Sequence, residues 1–152
     1  MHPLSRYVID VPDFPKPGIL FRDITPLLRS HFAEAVDALD SMFDAAEWAA
    51  TDAVAGVESR GFILAAALAE RRRKGFVPIR KKGKLPPPVV DRSYELEYGS
   101  GVLEMQRGKG RLLVIDDVLA TGGTLSASAA LAVDAGFRVD LVGVLIDLGL
   151  AP

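Results

Sequence analysis

From Phe32 onward the apolar residues Phe32, Ala35, Val36, Leu39, Met42, Phe43 and Ala46 fall three and four apart, the spacing of one helix face. This predicts an amphipathic helix over His31 to Ala46, with Ser30 as its N-cap and Glu34 in its first turn. The period then changes. Ala53 to Val57 is a short continuous apolar run, read as a buried strand. A helical pattern returns from Arg60 to Lys74, ending in the cations Arg71 to Lys74, which complement the helix dipole there. Phe76 to Ile79 reads as a short strand, and Lys81 to Val90, rich in cations and with three consecutive prolines, as a loop. Tyr94 to Gln106 alternates weakly around Gly99 and Gly101, which suggests a hairpin or flap rather than a core element. Leu112 to Ile115 is the best core strand, Thr124 to Ala135 a helix stopped by Gly136, and Val139 to Ile146 a final strand.

The order strand, helix, strand, loop, strand, helix, strand predicts an α/β fold with a mainly parallel twisted sheet flanked by helices. In such sheets ligands lie beyond the carboxyl ends of the strands. Three polar clusters each follow a predicted strand: Glu58 to Gly61 after Val57, Arg80 to Lys84 after Ile79, and Asp116 to Thr124 after Ile115. Their convergence on one rim predicts a single site.

Charge and composition narrow what that site can be. A formal net charge of -2 gives no global basic field to recruit nucleic acid, so anion binding has to be local. The absence of cysteine excludes disulfides, thiolate catalysis and Cys-based metal sites. His2 and His31 are the only histidines, and neither lies near a predicted strand end, which argues against a histidine-dependent hydrolase. No apolar run approaches the ~18 residues of a membrane span, and the N-terminus lacks a signal-peptide pattern. The expectation is a cytoplasmic protein with no membrane partner.

The loop Ala120-Thr121-Gly122-Gly123-Thr124 suits an anion. Its glycines bring backbone N–H groups close, its threonines add donors, and a helix N-terminus follows. An ordinary Gly-Gly turn capped by Thr124 is the other reading. The string lacks both the GK[ST] ending of a Walker A loop and the GxGxxG of a dinucleotide fold. Asp116 and Asp117 would repel a phosphate but suit hydroxyl groups or a divalent cation. Alternatively, one caps the loop and the other is solvated. A sugar carrying vicinal hydroxyls and a terminal phosphate satisfies both halves of the stretch.

LLVIDDVLATGGT (Leu112 to Thr124) resembles the ribose-phosphate signature of the type I phosphoribosyltransferases. FPKPGILFRDITPLL (Phe14 to Leu28), GVESRGF (Gly56 to Phe62), IRKKGKLP (Ile79 to Pro86) and SYELEYG (Ser93 to Gly99) resemble the adenine phosphoribosyltransferase family, in that family's order. The resemblance implies a single domain over 1–152. Residues 1–28 would form a hood for base recognition and 29–152 an α/β core with a flexible flap at about 84–106. It implies that Asp116 and Asp117 hold the ribose of 5-phosphoribosyl-1-pyrophosphate (PRPP) and that Ala120, Thr121, Gly122, Gly123 and Thr124 hold its 5′-phosphate. Glu58, Ser59, Arg60 and Gly61 would hold pyrophosphate, through a loop with a cis peptide between Glu58 and Ser59. Arg80, Lys81 and Lys84 would join them, partly across a homodimer. Phe21 would pack on adenine while the backbone of Leu20 and Arg22 reads its edge. Glu97 would assist protonation of the base at N7, with Arg60 as its catalytic partner and Tyr98 beside it in the flap. Mg²⁺ would enter mainly through PRPP. The implied activity is purine salvage, adenine and PRPP giving AMP and pyrophosphate. The alternatives are transfer to another purine, or a PRPP- or nucleotide-sensing regulator without catalysis. Two places depart from the family pattern: the connection from Glu104 to Leu112 is short, and the chain stops at Pro152 where family members run on.

Overall fold

Residues 3–96, 99–119 and 123–147 are described by a computed structural model, and the chain divides into two compact units, Met1–Ser41 and Met42–Pro152. In the first unit a 3-10 helix at Pro3–Tyr7 leads into a two-stranded antiparallel ribbon. Its strands, β1 (Ile9–Val11) and β2 (Phe21–Asp23), pair Asp10 with Arg22 and Val11 with Phe21. No alternation in the sequence announces this ribbon. The connecting turn is closed by side chain and glycine: the Asp13 carboxylate accepts the Gly18 N–H at 2.8 Å, where Gly18 adopts φ 88°. Two helices follow, α1 (Thr25–Ser30) and α2 (Phe32–Asp40).

The predicted helix over His31 to Ala46 is corrected here, because α2 stops at Asp40 and α3 (Ala45–Ala50) begins afresh. The restart has a local cause. The Asp44 carboxylate accepts the Glu47 N–H at 2.8 Å and the Glu47 carboxylate accepts the Asp44 N–H at 3.0 Å, a capping box that fixes a new N-terminus. Ser30 is not the N-cap either: its hydroxyl donates to Pro26 O at 2.8 Å, within α1. His31 stands between the two helices, stacked on Tyr7 at 3.9 Å, a structural post that agrees with its reading as a helix-start residue.

The second unit holds a six-stranded sheet in the order β5-β6-β4-β3-β7-β8. These are β3 (Ala53–Val57), β4 (Gly75–Lys81), β5 (Val90–Leu96), β6 (Gly99–Met105), β7 (Gly110–Leu119) and β8 (Phe137–Asp147). The pairs β3–β4, β3–β7 and β7–β8 are parallel, while β6 runs antiparallel to both β4 and β5. The mainly parallel sheet expected from the alternation is therefore present, with an antiparallel pair on one side. Helix α4 (Arg60–Arg71) connects β3 to β4, and α5 (Gly123–Asp134) connects β7 to β8.

The two helices take opposite faces of the sheet. Ala127, Leu131 and Ala132 of α5 pack with Ala55, Val57, Leu112 and Val114. On the other face α4 buries Leu64, Ala65 and Leu68, and it approaches so closely that a Cβ on Gly56 would sit 2.7 Å from the Ala65 Cβ. Gly136, at φ 108°, ends α5 as expected. The expectation that Tyr94 to Gln106 stands outside the core is corrected, since Leu103 and Met105 of β6 are fully buried within the α5-side cluster. No helix among the described residues is long and apolar enough to cross a membrane.

Candidate active site

Strands β4, β3 and β7 lie side by side, and their register sets the end of β3 beside the later parts of its neighbours: Val57 pairs with Ile79 and Gly56 with Ile115, while β4 runs on to Lys81 and β7 to Leu119, past the Ile115 at which the sequence pattern ended that strand. One residue further along stand Glu58, Arg80 and Asp116, so the three predicted clusters meet on one rim. Helix α4 begins at once after β3, which places Arg60 at its N-terminus. The Glu58–Ser59 peptide before it is cis, as the resemblance implies. Gly61 lies so close to β7 that an added Cβ would be 3.1 Å from Asp116 Oδ1 and 3.3 Å from Ile115 O. Any side chain there would have to push the Asp116 carboxyl or β7 back by a few tenths of an ångström.

Asp116 and Asp117 are both buried, which excludes the reading of one as a solvated loop residue. Asp116 Oδ1 accepts the Asp117 N–H at 2.8 Å. Burial, then the neighbouring Asp117 charge, raises the Asp116 pKa to about 8, with Arg60 opposing the rise. Arg60 Nε stands 2.8 Å from Asp117 Oδ2. That contact is an ion pair rather than a hydrogen bond, and the buried Oδ2 accepts none from the described residues. A buried carboxylate oxygen with unused lone pairs is an acceptor waiting for donors.

The basic cluster is organised by an acid. The nearly buried Glu58 carboxylate lies 3.3 Å from Arg80 Nε and 2.6 Å from Lys84 Nζ, and it accepts the Lys81 N–H at 2.9 Å. Burial alone would raise the Glu58 pKa, but Lys84, the Lys81 amide and Arg80 together outweigh it and hold the carboxyl below its ordinary value. The Arg80 guanidinium also lies 5.7 Å from the centre of the Phe62 ring. Gly123 and Thr124 open α5, and the Thr124 carbonyl accepts the Ser128 hydroxyl at 2.7 Å. Ala120, Thr121, Gly122, Glu97 and Tyr98 lie outside the described residues. In the N-terminal unit Leu20 is half exposed, and Phe21 on β2 packs edge-on to Phe14 with ring centres 5.1 Å apart. Arg22 pairs with Asp10 at 3.1 Å.

Residues 31–142 match the phosphoribosyl transferase domain model. The chain belongs to the phosphoribosyltransferase family. Among curated relatives of this family, the adenine phosphoribosyltransferase of Hydrogenovibrio crunogenus is 53% identical over 148 residues, covering 97% of this chain and 86% of that protein. That of Bdellovibrio bacteriovorus is 51% identical, covering 95% and 87%. The adenine phosphoribosyltransferase structure from Rhodothermus marinus superposes with a TM-score of 0.86 at 46% identity, over 97% of this chain and 86% of that one. The Saccharomyces cerevisiae enzyme, complexed with adenine and an imino-altritol bisphosphate, gives 0.84 at 33%, over 96% and 87%. The phosphoribosyltransferase fold expected from the sequence is thus shown over nearly the whole chain.

One buried acid of this rim escaped the sequence reading. Glu104, on β6, is nearly inaccessible and accepts the N–H groups of Gly83 at 2.9 Å and Leu85 at 2.7 Å. The signal was there in a glutamate set between Leu103 and Met105 in an otherwise apolar strand end.

Proposed function

We propose that the protein transfers the 5-phosphoribosyl group of PRPP to N9 of adenine, giving AMP and pyrophosphate. The single observation that carries this reading is the pair Asp116-Asp117, buried within β7 just past its pairing with β3, with an Asp117 oxygen that accepts no hydrogen bond from the described residues. That acceptor suits ribose hydroxyls. The start of α5 at Gly123 and Thr124, with the loop 120–122 before it, takes the 5′-phosphate at a helix N-terminus. Arg60, at the N-terminus of α4, takes the pyrophosphate with the backbone of Ser59 and Gly61. Arg80, Lys81 and Lys84 add charge, and Glu58 orients them rather than touching the anion. The chain is expected to act as a homodimer; Ile63 and Phe76, both exposed beside Phe62, offer an apolar surface for it.

In the reaction the C1′–O bond to pyrophosphate breaks as C1′–N9 forms, the electron pair leaves with pyrophosphate, and the base gives up its imidazole proton. Arg60 and the basic cluster offset the charge that grows on the departing oxygen. Glu97 is assigned the proton at N7, and the flap bearing Tyr98 excludes water from the ribosyl centre. Phe21, with the Leu20 and Arg22 backbone, selects adenine, because a carbonyl in place of the exocyclic amine leaves a buried group unpaired. Mg²⁺ would be an ion carried in by PRPP, the hard carboxylate oxygens of Asp117 beside the ribose suiting it. When bound it supplies further charge neutralisation on pyrophosphate.

The test is turnover. With PRPP and Mg²⁺, adenine is expected to give AMP and pyrophosphate in equal amounts. Turnover with hypoxanthine or guanine but not adenine would overturn the base assignment, and no turnover with any purine would overturn the reaction. Gly61→Ala should raise the Kd for PRPP several-fold, because its Cβ pushes on the Asp116 carboxylate, at a stability cost of about 1 kcal/mol. An unchanged Kd by calorimetry would show that the close approach of Gly61 to β7 does not set the site.

A further inference from the structure

We infer that Glu104 is a positioning residue for pyrophosphate, its buried carboxylate folding the Lys82–Leu85 turn so that Lys84 is presented to the anion. The inference rests on the pyrophosphate role given above to Lys84.

The turn follows β4, and Glu104 lies on the neighbouring strand β6, directly opposite Arg80 in the antiparallel ladder. Leu103 and Met105 point into the core, so by strand alternation Glu104 points to the other side of the sheet. There its two oxygens accept the N–H groups of Gly83 and Leu85, the residues on either side of Lys84. Gly83 has φ 93°, a left-handed conformation that bends consecutive amides toward one point. An anion-binding concavity of backbone amides results, and an internal carboxylate fills it. The Gly83 N–H, followed by that of Leu85, holds the Glu104 carboxyl below its ordinary value, so it is charged at neutral pH. The Lys82 N–H donates to Val102 O at 3.0 Å, which ties the turn to β6 a second time.

The division of labour follows from these contacts. The amides at Gly83 and Leu85 are occupied by Glu104 and are not offered to pyrophosphate. What the turn presents is the Lys84 side chain, whose ammonium rests on Glu58 Oε2 at 2.6 Å. Lys84 is therefore fixed at its backbone by one buried acid and at its tip by another. Because pyrophosphate has only to replace the Glu58 contact at the tip, the turn stays ordered while the anion binds.

Glu104→Gln keeps the size of the side chain but puts an amide donor against one of the two backbone donors. Binding of Mg²⁺-pyrophosphate is measured by calorimetry for the parent, Glu104→Gln, Lys84→Ala and the double variant, together with KM for adenine and for PRPP. The expected result is pyrophosphate binding weakened about tenfold by Glu104→Gln and KM for PRPP raised with KM for adenine unchanged. The double variant should bind no more weakly than Lys84→Ala alone, since the acid acts through that lysine. Glu104→Asp, which keeps the charge but shortens the reach, should fall between and serves if the glutamine variant fails to fold. Pyrophosphate affinity unchanged in the Glu104 variants, with Lys84→Ala weakened, would overturn this inference alone. Additive losses in the double variant would also overturn it. If Lys84→Ala itself binds pyrophosphate normally, the assignment beneath the inference falls and the inference with it.

Discussion

Asp117→Asn is expected to weaken PRPP binding by roughly ten- to a hundredfold while leaving the fold intact. The size follows from the chemistry of the position. Asp117 is buried, its Oδ2 accepts no hydrogen bond from the described residues, and Arg60 stands 2.8 Å away as its counter-charge. A ribose hydroxyl donating to that oxygen would make a charge-assisted hydrogen bond, which the amide replaces with a weaker neutral one or with a second donor. The same substitution removes the Arg60–Asp117 ion pair and takes away one of the charges that make ionising Asp116 costly, two changes of opposite sign for stability. The thermal midpoint should therefore stay within a few degrees of the parent. Calorimetric titration with PRPP checks the prediction, and an unchanged Kd would remove Asp117 from the ribose site.

Asp116→Asn is expected to stabilise the protein by a few kcal/mol at pH 8 and by little at pH 4. Burial and the Asp117 charge lift the Asp116 pKa from its ordinary 3.8 to about 8 in the folded state. Between those values the folded chain holds a proton that the unfolded chain has released. Stability from this group is therefore greatest at low pH and is lost as pH rises through the window from about 4 to about 8, by about 1.4 kcal/mol for each pH unit at most. Asparagine carries no such dependence, and its side-chain oxygen can still accept the Asp117 N–H. Urea midpoints of parent and variant at pH 5 and pH 8 read the difference directly. A gap that does not widen with pH would show that Asp116 titrates as an ordinary carboxylate.

Much of the candidate rim was legible in the sequence because its parts are local. Val54 to Val57 and Leu112 to Ile115 are buried on both faces, so continuous apolar runs announced them. Each polar cluster followed such a run, and parallel pairing did the rest. What escaped was set by contacts distant in sequence. The Arg60–Asp117 pair joins residues whose proximity depends on β3 lying beside β7. Glu104 looked like one charge in a flap, and only the β4–β6 register shows it beneath the basic turn. The break between α2 and α3 was a different failure. Asp44 and Glu47 spelled out a capping box, but the apolar spacing continued through Met42, Phe43 and Ala46 and masked the new start. The β1–β2 ribbon, with three residues in each strand, was too short for any alternation to stand out.

The claim that joins these observations is that three strand ends hold one PRPP molecule in a fixed orientation. A crystal structure with PRPP and Mg²⁺ tests it most directly. The 2′- and 3′-hydroxyls are expected on the side chains of Asp116 and Asp117, the 5′-phosphate at the start of α5, and the pyrophosphate between Arg60 and Lys84. PRPP bound with its two phosphate ends exchanged, or with its ribose away from Asp116 and Asp117, would contradict it.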